Sequence, residues 1–390
     1  MRPIPEHRLL DLIEWLVSDE CHDLDHAGMI AELGQRLRAL PLPLDRLTLH
    51  LRTLHPEILA RVVAWSPDGP LEIYDREHGV ERLAAFATSP IRQVIDSREW
   101  RTVRAAPGSE VLGEIDYFHG RGIAELVIAP LLTGGGPASA VSFGTRRARG
   151  FTPAVHQALK RLLPALRGTC ELRLLRYAEA TLLDTYVGVA TGQRILAGHI
   201  RRGDVESLEA ALLLCDLRDF TGLSNRLPAV QVLEHLNLYF DQVVPAITTG
   251  GGEILKFMGD AVLAFFRHED GPAASCAVAF GAATEALARL AVTSSPASKL
   301  HGGKLQAGIA LHHGTVSYGN IGSGRRLDFT VIGPDVNLVS RIQTVCGTTG
   351  DPLLMSRFAT LLGRPDLRSI GRHELKGFPE AMELFASGEG

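Results

Sequence analysis

The sequence predicts an α+β chain of two domains. Three observations carry that reading. At 390 residues and 45% hydrophobic content the chain is long and apolar enough for two cores. Helical and strand-like patterns alternate in both halves. A polar, glycine-containing stretch separates them. The expected borders are 1–170 for a front domain, 171–206 for a helical connector and 207–390 for a second domain.

In the front domain Leu9, Leu10, Ile13, Leu16 and Val17 recur at helical spacing, as do Met29, Ile30, Leu33 and Leu37. PLPLD then breaks the pattern. Strand-like runs follow (LTLHLRTL, ILARVVAW, LEIYD), then a helical stretch over 90–95, the apolar ELVIAPLL, a TGGGP turn and SAVSFGT. That order is a mixed α/β domain. Thr152 before Pro153 opens an amphipathic helix. Within the connector, Leu172, Leu175, Leu182 and Tyr186 are spaced 3, 7 and 4 residues apart. This spacing suits either a short coiled-coil stalk or a helix packed on its own chain.

A formal net charge of −4 gives no global attraction to nucleic acid or an anionic membrane. Five cysteines without CxxC or CxxH spacing argue against a structural zinc site or a disulfide framework and fit a reducing cytoplasm. The apolar runs 123–132 and 261–266 fall far short of a membrane span, and MRPIPEHRLL lacks a signal-peptide core. A cytoplasmic chain with no membrane span is the expectation.

Chemistry concentrates in the second domain. EAALLLCDLRDFTGL runs from an apolar strand into Asp216 and a turn. GGEILKFMGDAVLAFF reads as two strands around Gly259 and Asp260, and glycine at the first loop position suits a type II′ hairpin with Asp260 at its tip. If these strands pair, two carboxylates meet at one sheet end, the oxygen-rich setting that a phosphate-bound Mg²⁺ needs. Either aspartate alone reads most simply as a turn cap. Asn337 and Arg341 are four apart in NLVSRI and share one helix face.

Taken in order, DLRDFTGL, KFMGD, GNIGSGRRLDFTVIGPDVNLVSRI and LKGFPEAMELF resemble class III adenylyl and guanylyl cyclases over roughly 207–385. The resemblance implies a ferredoxin-like βαββαβ catalytic core. It implies that Asp216 and Asp260 hold two divalent ions, Mg²⁺ or Mn²⁺, per active site. Asn337 would orient the ribose, and Arg341 would stabilise charge at the α-phosphate, a task suited to a permanently charged planar fork. Phe220, Thr221 and Gly222 form a turn whose N–H groups can cradle phosphates. Arg325 and Lys376 fall at the family's β- and γ-phosphate positions, with Arg326 an alternative to Arg325.

Lys256 and Thr330 match the base-selecting pair. Lysine donates to adenine N1 and threonine accepts from the 6-amino group, whereas guanine would turn a protonated N1 toward the lysine. ATP is therefore the expected substrate and cyclic AMP the product. Thr330 stands where many adenylyl cyclases carry aspartate, which resembles the bicarbonate-responsive subgroup. In the family the two residue sets come from different subunits, so a homodimer with two symmetric sites is implied.

The front domain looks like a GAF-type sensory or dimerisation domain, with a small-molecule effector as its candidate ligand. Cys21 and His55 stay unassigned, since lone residues of these types are mostly structural. Two rival functions remain open: a guanylate cyclase, and a catalytically silent ligand-sensing module.

Overall fold

The computed structural model describes residues 4–104, 121–131, 138–295, 303–324 and 326–387. Two compact units divide at Thr185 and Tyr186. The TGGGP turn and Arg325 lie outside the described residues.

The first unit opens with helices α1 (Glu6–Leu16), α2 (Asp19–His22) and α3 (His26–Ala39). Strands β1 (Arg46–Arg52), β2 (Ile58–Trp65) and β3 (Glu72–Glu77) follow, then α4 (Ala84–Ala87), α5 (Pro90–Ser97), β4 (Arg101–Arg104), β5 (Glu125–Leu131) and β6 (Ser139–Thr145). The six strands form one antiparallel sheet in the order β3-β2-β1-β6-β5-β4. Leu47, Leu49 and Leu51 of β1 face a cluster built with Trp15, Ile30, Leu33 and the long helix α6 (Pro153–Val187). On the other sheet face, Ile91 and Val94 of α5 pack on Leu126, Ile128 and Ala140. Each fully buried leucine or isoleucine of this kind contributes about 1.5–3 kcal/mol.

Helix α6 runs unbroken past the expected border at 170, with Leu159, Leu162, Leu166 and Cys170 in the first unit's core. Farther along, Leu172, Leu175, Leu182 and Tyr186 are all exposed. The seam that the spacing singled out is therefore exposed among the described residues.

The second unit contains α7 (Val189–Leu196), β7 (Val205–Leu217), α8 (Phe220–Ser224), α9 (Ala229–Thr249), β8 (Gly252–Met258), β9 (Ala261–Phe266) and α10 (Pro272–Val292). It continues with β10 (Ala307–Ser323), β11 (Arg326–Ile332), α11 (Pro334–Thr349), β12 (Leu353–Met355), α12 (Phe358–Leu362), β13 (Leu367–His373) and β14 (Met382–Ser387). The sheet order is β13-β14-β12-β10-β7-β9-β8, with β11 paired to β10 as a projecting hairpin. Strand β7 is buried on both faces. Ala211, Leu213, Cys215 and Leu217 face α9 and α10, while Leu208, Ala210, Leu212 and Leu214 share a cluster with α11.

Helix α10 is long and apolar enough by composition to span a membrane. The search for apolar runs passed over it because its apolarity is dispersed among alanines. One face, including Cys276, Ala279, Ala283, Ala286 and Leu290, packs into the unit's core. All five cysteines are free and buried, and burial pushes the thiols of Cys170, Cys215, Cys276 and Cys346 up to about 12. They are packing residues.

Much of the connector is docked rather than loose. The hydroxyls of Thr191 on α7 and Tyr318 on β10 both donate to Glu253 of β8, at 3.0 and 2.5 Å. Arg194 lies over the Tyr318 ring and pairs with Glu206 at 2.8 Å.

The start of α11 is tied to β10 by Asp335, which accepts from the Thr315 N–H at 2.8 Å and lies 3.0 Å from His312 Nε2. Nδ1 of His312 lies 2.5 Å from the Ser356 hydroxyl. Ser356 is fully buried, so this Ser–His–Asp row holds the helix rather than attacking a substrate. Glycine at 314 permits the approach, since a Cβ there would stand 2.2 Å from the Asp335 carboxyl. The His312 hydrogen bond holds the Asp335 carboxyl below its ordinary range. A depressed carboxyl contributes stability above its ordinary pKa and loses it as pH falls through the lowered value. Asp335→Ala is expected to cost about 1–3 kcal/mol in urea unfolding at neutral pH. The gap from the parent protein should close below about pH 4.

Candidate active site

Asp216 ends the buried run of β7, opposite Ala261 of β9 on one side and Gly308 of β10 on the other. Met258 and Ala261 pair across a two-residue turn, leaving Gly259 and Asp260 at the tip. Gly259 has φ +67° while Asp260 is not left-handed, the backbone that a type II′ turn requires. The β7–β9 register therefore puts the two aspartates side by side, near enough for the Asp260 charge to act on the Asp216 carboxyl. Burial first, then the Asp260 charge and hydrogen bond, push the Asp216 carboxyl up to about 6, against a lowering pull from Arg218. Arg218 itself donates to the Asp351 carbonyl at 2.9 Å. No lysine or arginine is hydrogen-bonded to either carboxylate among the described residues.

After Asp216 the chain turns through Asp219, at φ +58°, into α8. The first helical bond runs from Leu223 N–H to the Asp219 carbonyl. Thus Phe220, Thr221 and Gly222 supply the first-turn N–H groups that have no intrahelical acceptor. Arg226 pairs with Asp219 at 2.9 Å, steadying the bend.

Asn337 and Arg341 lie one turn apart on α11, positioned by burial of Leu338, Val339 and Ile342 against the sheet. Asn337 is exposed. The Arg341 Nε is buried without a hydrogen-bond partner, and its guanidinium forms no ion pair among the described residues. An uncompensated guanidinium is costly to hold and available to an anion.

Lys256 on β8 reaches Asp328 on β11, with Nζ 2.6 Å from the carboxylate. Thr330, two residues along β11 from Asp328, shares its face and is buried. Lys256 and Thr330, which the sequence expects to select the base, are thus brought together with Asp328. Arg326 opens β11 and is exposed. Lys376 is exposed between β13 and β14, and strands β12 and β10 separate β14 from β7. No hydrogen bond or ion pair joins the aspartates to Lys256, Thr330, Asn337, Arg341 or Lys376 among the described residues.

Residues 205–386 match the family described as adenylate and guanylate cyclase catalytic domain. The C-terminal unit carries a cyclase catalytic domain. An adenylate cyclase of Anabaena cylindrica is 31% identical over 193 residues, covering 48% of this chain and 38% of the relative. A terminal-differentiation adenylate cyclase of Dictyostelium discoideum is 28% identical over 188 residues, covering 47% of this chain and 9% of the relative. The chain therefore spans well under half the length of these relatives. The solved structure of the adenylyl cyclase CyaB from P. aeruginosa aligns with a TM-score of 0.42 and 24% identity, covering 48% of this chain and 97% of that one.

The aspartate pair of the cyclase domain suits a hard divalent ion, being two adjacent, half-buried oxygen donors in need of positive charge. Among the described residues no cluster of three or more His, Cys, Asp or Glu is placed to hold a metal. Mg²⁺ at phosphate sites is usually held by one or two carboxylates, with water and substrate oxygens completing its shell.

Reading the sequence missed Arg218, Asp328 and Asp335. Asp328 carried a signal, since it stands two residues before Thr330 and so on the same strand face. Arg218 and Asp335 act through partners distant in sequence. The Lys256–Asp328 pair is largely exposed on the aspartate side, so Asp328→Ala should shift stability by less than about 1 kcal/mol, measured by urea unfolding of the full chain.

Proposed function

We propose that this chain is an adenylate cyclase that converts ATP to 3′,5′-cyclic AMP and diphosphate at a homodimer interface, with two Mg²⁺ or Mn²⁺ per site. The observation that carries this reading is the Asp216–Asp260 pair, two neighbouring carboxyls at the end of a buried strand to which no lysine or arginine is hydrogen-bonded among the described residues. Bound divalent ions there would supply Lewis-acid charge that lowers the pKa of the ribose 3′-hydroxyl and neutralises phosphate oxygens. The 3′-oxygen bonds to the α-phosphorus as the oxygen bridging to the β-phosphate leaves with diphosphate, and the hydroxyl proton passes to solvent.

Asn337 orients the ribose, and Arg341, lacking a protein counter-ion, takes up the α-phosphate charge. The N–H groups of Phe220, Thr221 and Gly222 meet the triphosphate, with Arg325 or Arg326 and Lys376 at its far end. Lys256 leaves Asp328 to donate to adenine N1, and Thr330 accepts from the 6-amino group. The absence of any hydrogen bond or ion pair between the aspartates and Asn337 or Arg341 among the described residues is compatible with a head-to-tail dimer in which each site draws on both subunits. The exposed seam of α6 supports the same association.

The catalytic unit's strand order, β10-β7-β9-β8 with helices between, supports a ferredoxin-like core. The first unit's antiparallel sheet with helices on both faces supports a GAF-like sensory or dimerisation role in a cytoplasmic protein. Changes in that unit would alter how two catalytic units meet, with a small-molecule ligand or bicarbonate as stimulus.

Purified full-length protein with Mn²⁺ is expected to form cyclic AMP from ATP in preference to cyclic GMP from GTP, and Asp260→Ala should abolish product. Cyclic GMP in excess would make the chain a guanylate cyclase, and no product from a dimeric protein would favour the silent sensor. Mixing the inactive variants Asp260→Ala and Arg341→Ala should restore activity, because half of randomly exchanged dimers hold one intact site, about a quarter of the parental sites. A mixture as inactive as its components would exclude a site shared between subunits.

A further inference from the structure

The long helix α6 carries two apolar faces, and the first unit uses one of them. On a helix of about 3.6 residues per turn, Leu159, Leu162, Leu166 and Cys170 fall on one side, and all four are buried in the first unit's core. Leu172, Leu175 and Leu182 fall about half a turn away and are 38%, 61% and 39% exposed. The packing that fixes the first face therefore points the second away from the first unit. Three leucines on one side of an exposed helix leave apolar surface for a further partner to remove from water.

The charges beside this seam select the partner. Glu171 precedes it, Glu179 lies within it and Arg176 flanks it. Acidic groups at the seam oppose an anionic membrane surface. Counted as heptads, Leu172 and Glu179 occupy a positions and Leu175 and Leu182 occupy d positions, which makes Glu171 a g residue and Arg176 the e residue of the following heptad. In a parallel pair of identical helices each g faces the next e of its neighbour. Glu171 then meets Arg176 of the second copy, twice by symmetry. An antiparallel pair sets g against g and e against e and loses that match.

We infer that α6 joins a second copy of this chain in a parallel, in-register coiled-coil contact over residues 171–182. This contact goes beyond the shared active site proposed above and does not rest on it. The first unit already holds the helix in shape, so pairing has little left to order. Twofold symmetry brings Glu179 against its own copy, and that like-charged pair on the seam weakens the association.

Cross-linking of the full-length protein tests the geometry. Leu175→Cys and Leu182→Cys, each made alone, should give a disulfide-linked dimer under mild copper–phenanthroline oxidation, because each position faces its own copy. The five native cysteines are buried, so the parent chain should stay unlinked. Arg167→Cys, exposed about a quarter turn off the seam, should stay unlinked too. In sedimentation equilibrium, Glu179→Leu should lower the dimer dissociation constant by about tenfold or more, the scale of replacing a charge repulsion by leucine packing. Linking at both positions, with tightening by Glu179→Leu, supports the contact. Linking at one position only, at neither, or equally at Arg167→Cys overturns it, as does a dissociation constant that Glu179→Leu leaves unchanged or raises. A chain that links at both positions yet makes no cyclic nucleotide keeps this contact and loses the cyclase reading; an active chain that fails to link does the reverse.

Discussion

Burial of β7 on both faces governs the catalytic unit. Eight of its residues, 208, 210–215 and 217, sit in one or other of two apolar clusters, so a slip of one position against β9 or β10 would exchange the whole set between faces. With that register held, Asp216 has to emerge opposite Ala261, beside the tip that carries Asp260. The aspartate contact is electrostatically unfavourable. It persists because the apolar packing of the strands outweighs it, the usual way in which a fold sustains strain at a reactive place.

A second consequence concerns the arrangement of charge. On one surface negative charge is concentrated at Asp216 and Asp260, tempered by Arg218. On α11 the Arg341 guanidinium forms no ion pair among the described residues. Each set is poorly compensated by itself, and a nucleotide with its cations, held between two chains, would satisfy both. Asp335 and His312 fix α11 against β10, so the helix presents Asn337 and Arg341 from a rigid support. On the projecting hairpin, Asp328 holds Lys256.

The docked helix α7 gives a physical route from connector to site. Thr191 touches Glu253, three residues before Lys256 on the same strand, and Tyr318 lies on the strand that pairs with β11. A displacement of α7 would be felt first by the strands bearing Lys256 and Thr330. In the first unit, polar and apolar residues alternate along β1 just as they would on a half-solvated strand, yet both faces are covered.

Much of the fold was legible in short stretches of chain. Period-two and helical repeats, a Gly-Asp hairpin tip and an Asn-x-x-x-Arg spacing depend on backbone geometry over a few residues, and they placed the strands, the helices, Asp216, Asp260, Asn337 and Arg341 on their proper elements. Other features depend on contacts between distant segments, which carry no local signature. Lys256 meets Asp328 across 72 residues, and Arg218 reaches Asp351 across 133. The exposure of the α6 seam, the docking of the polar connector and the closure of both faces of β1 were decided likewise. Local pattern states what a residue can face, but burial is settled by which segments pack over it, and that is a property of the assembled chain.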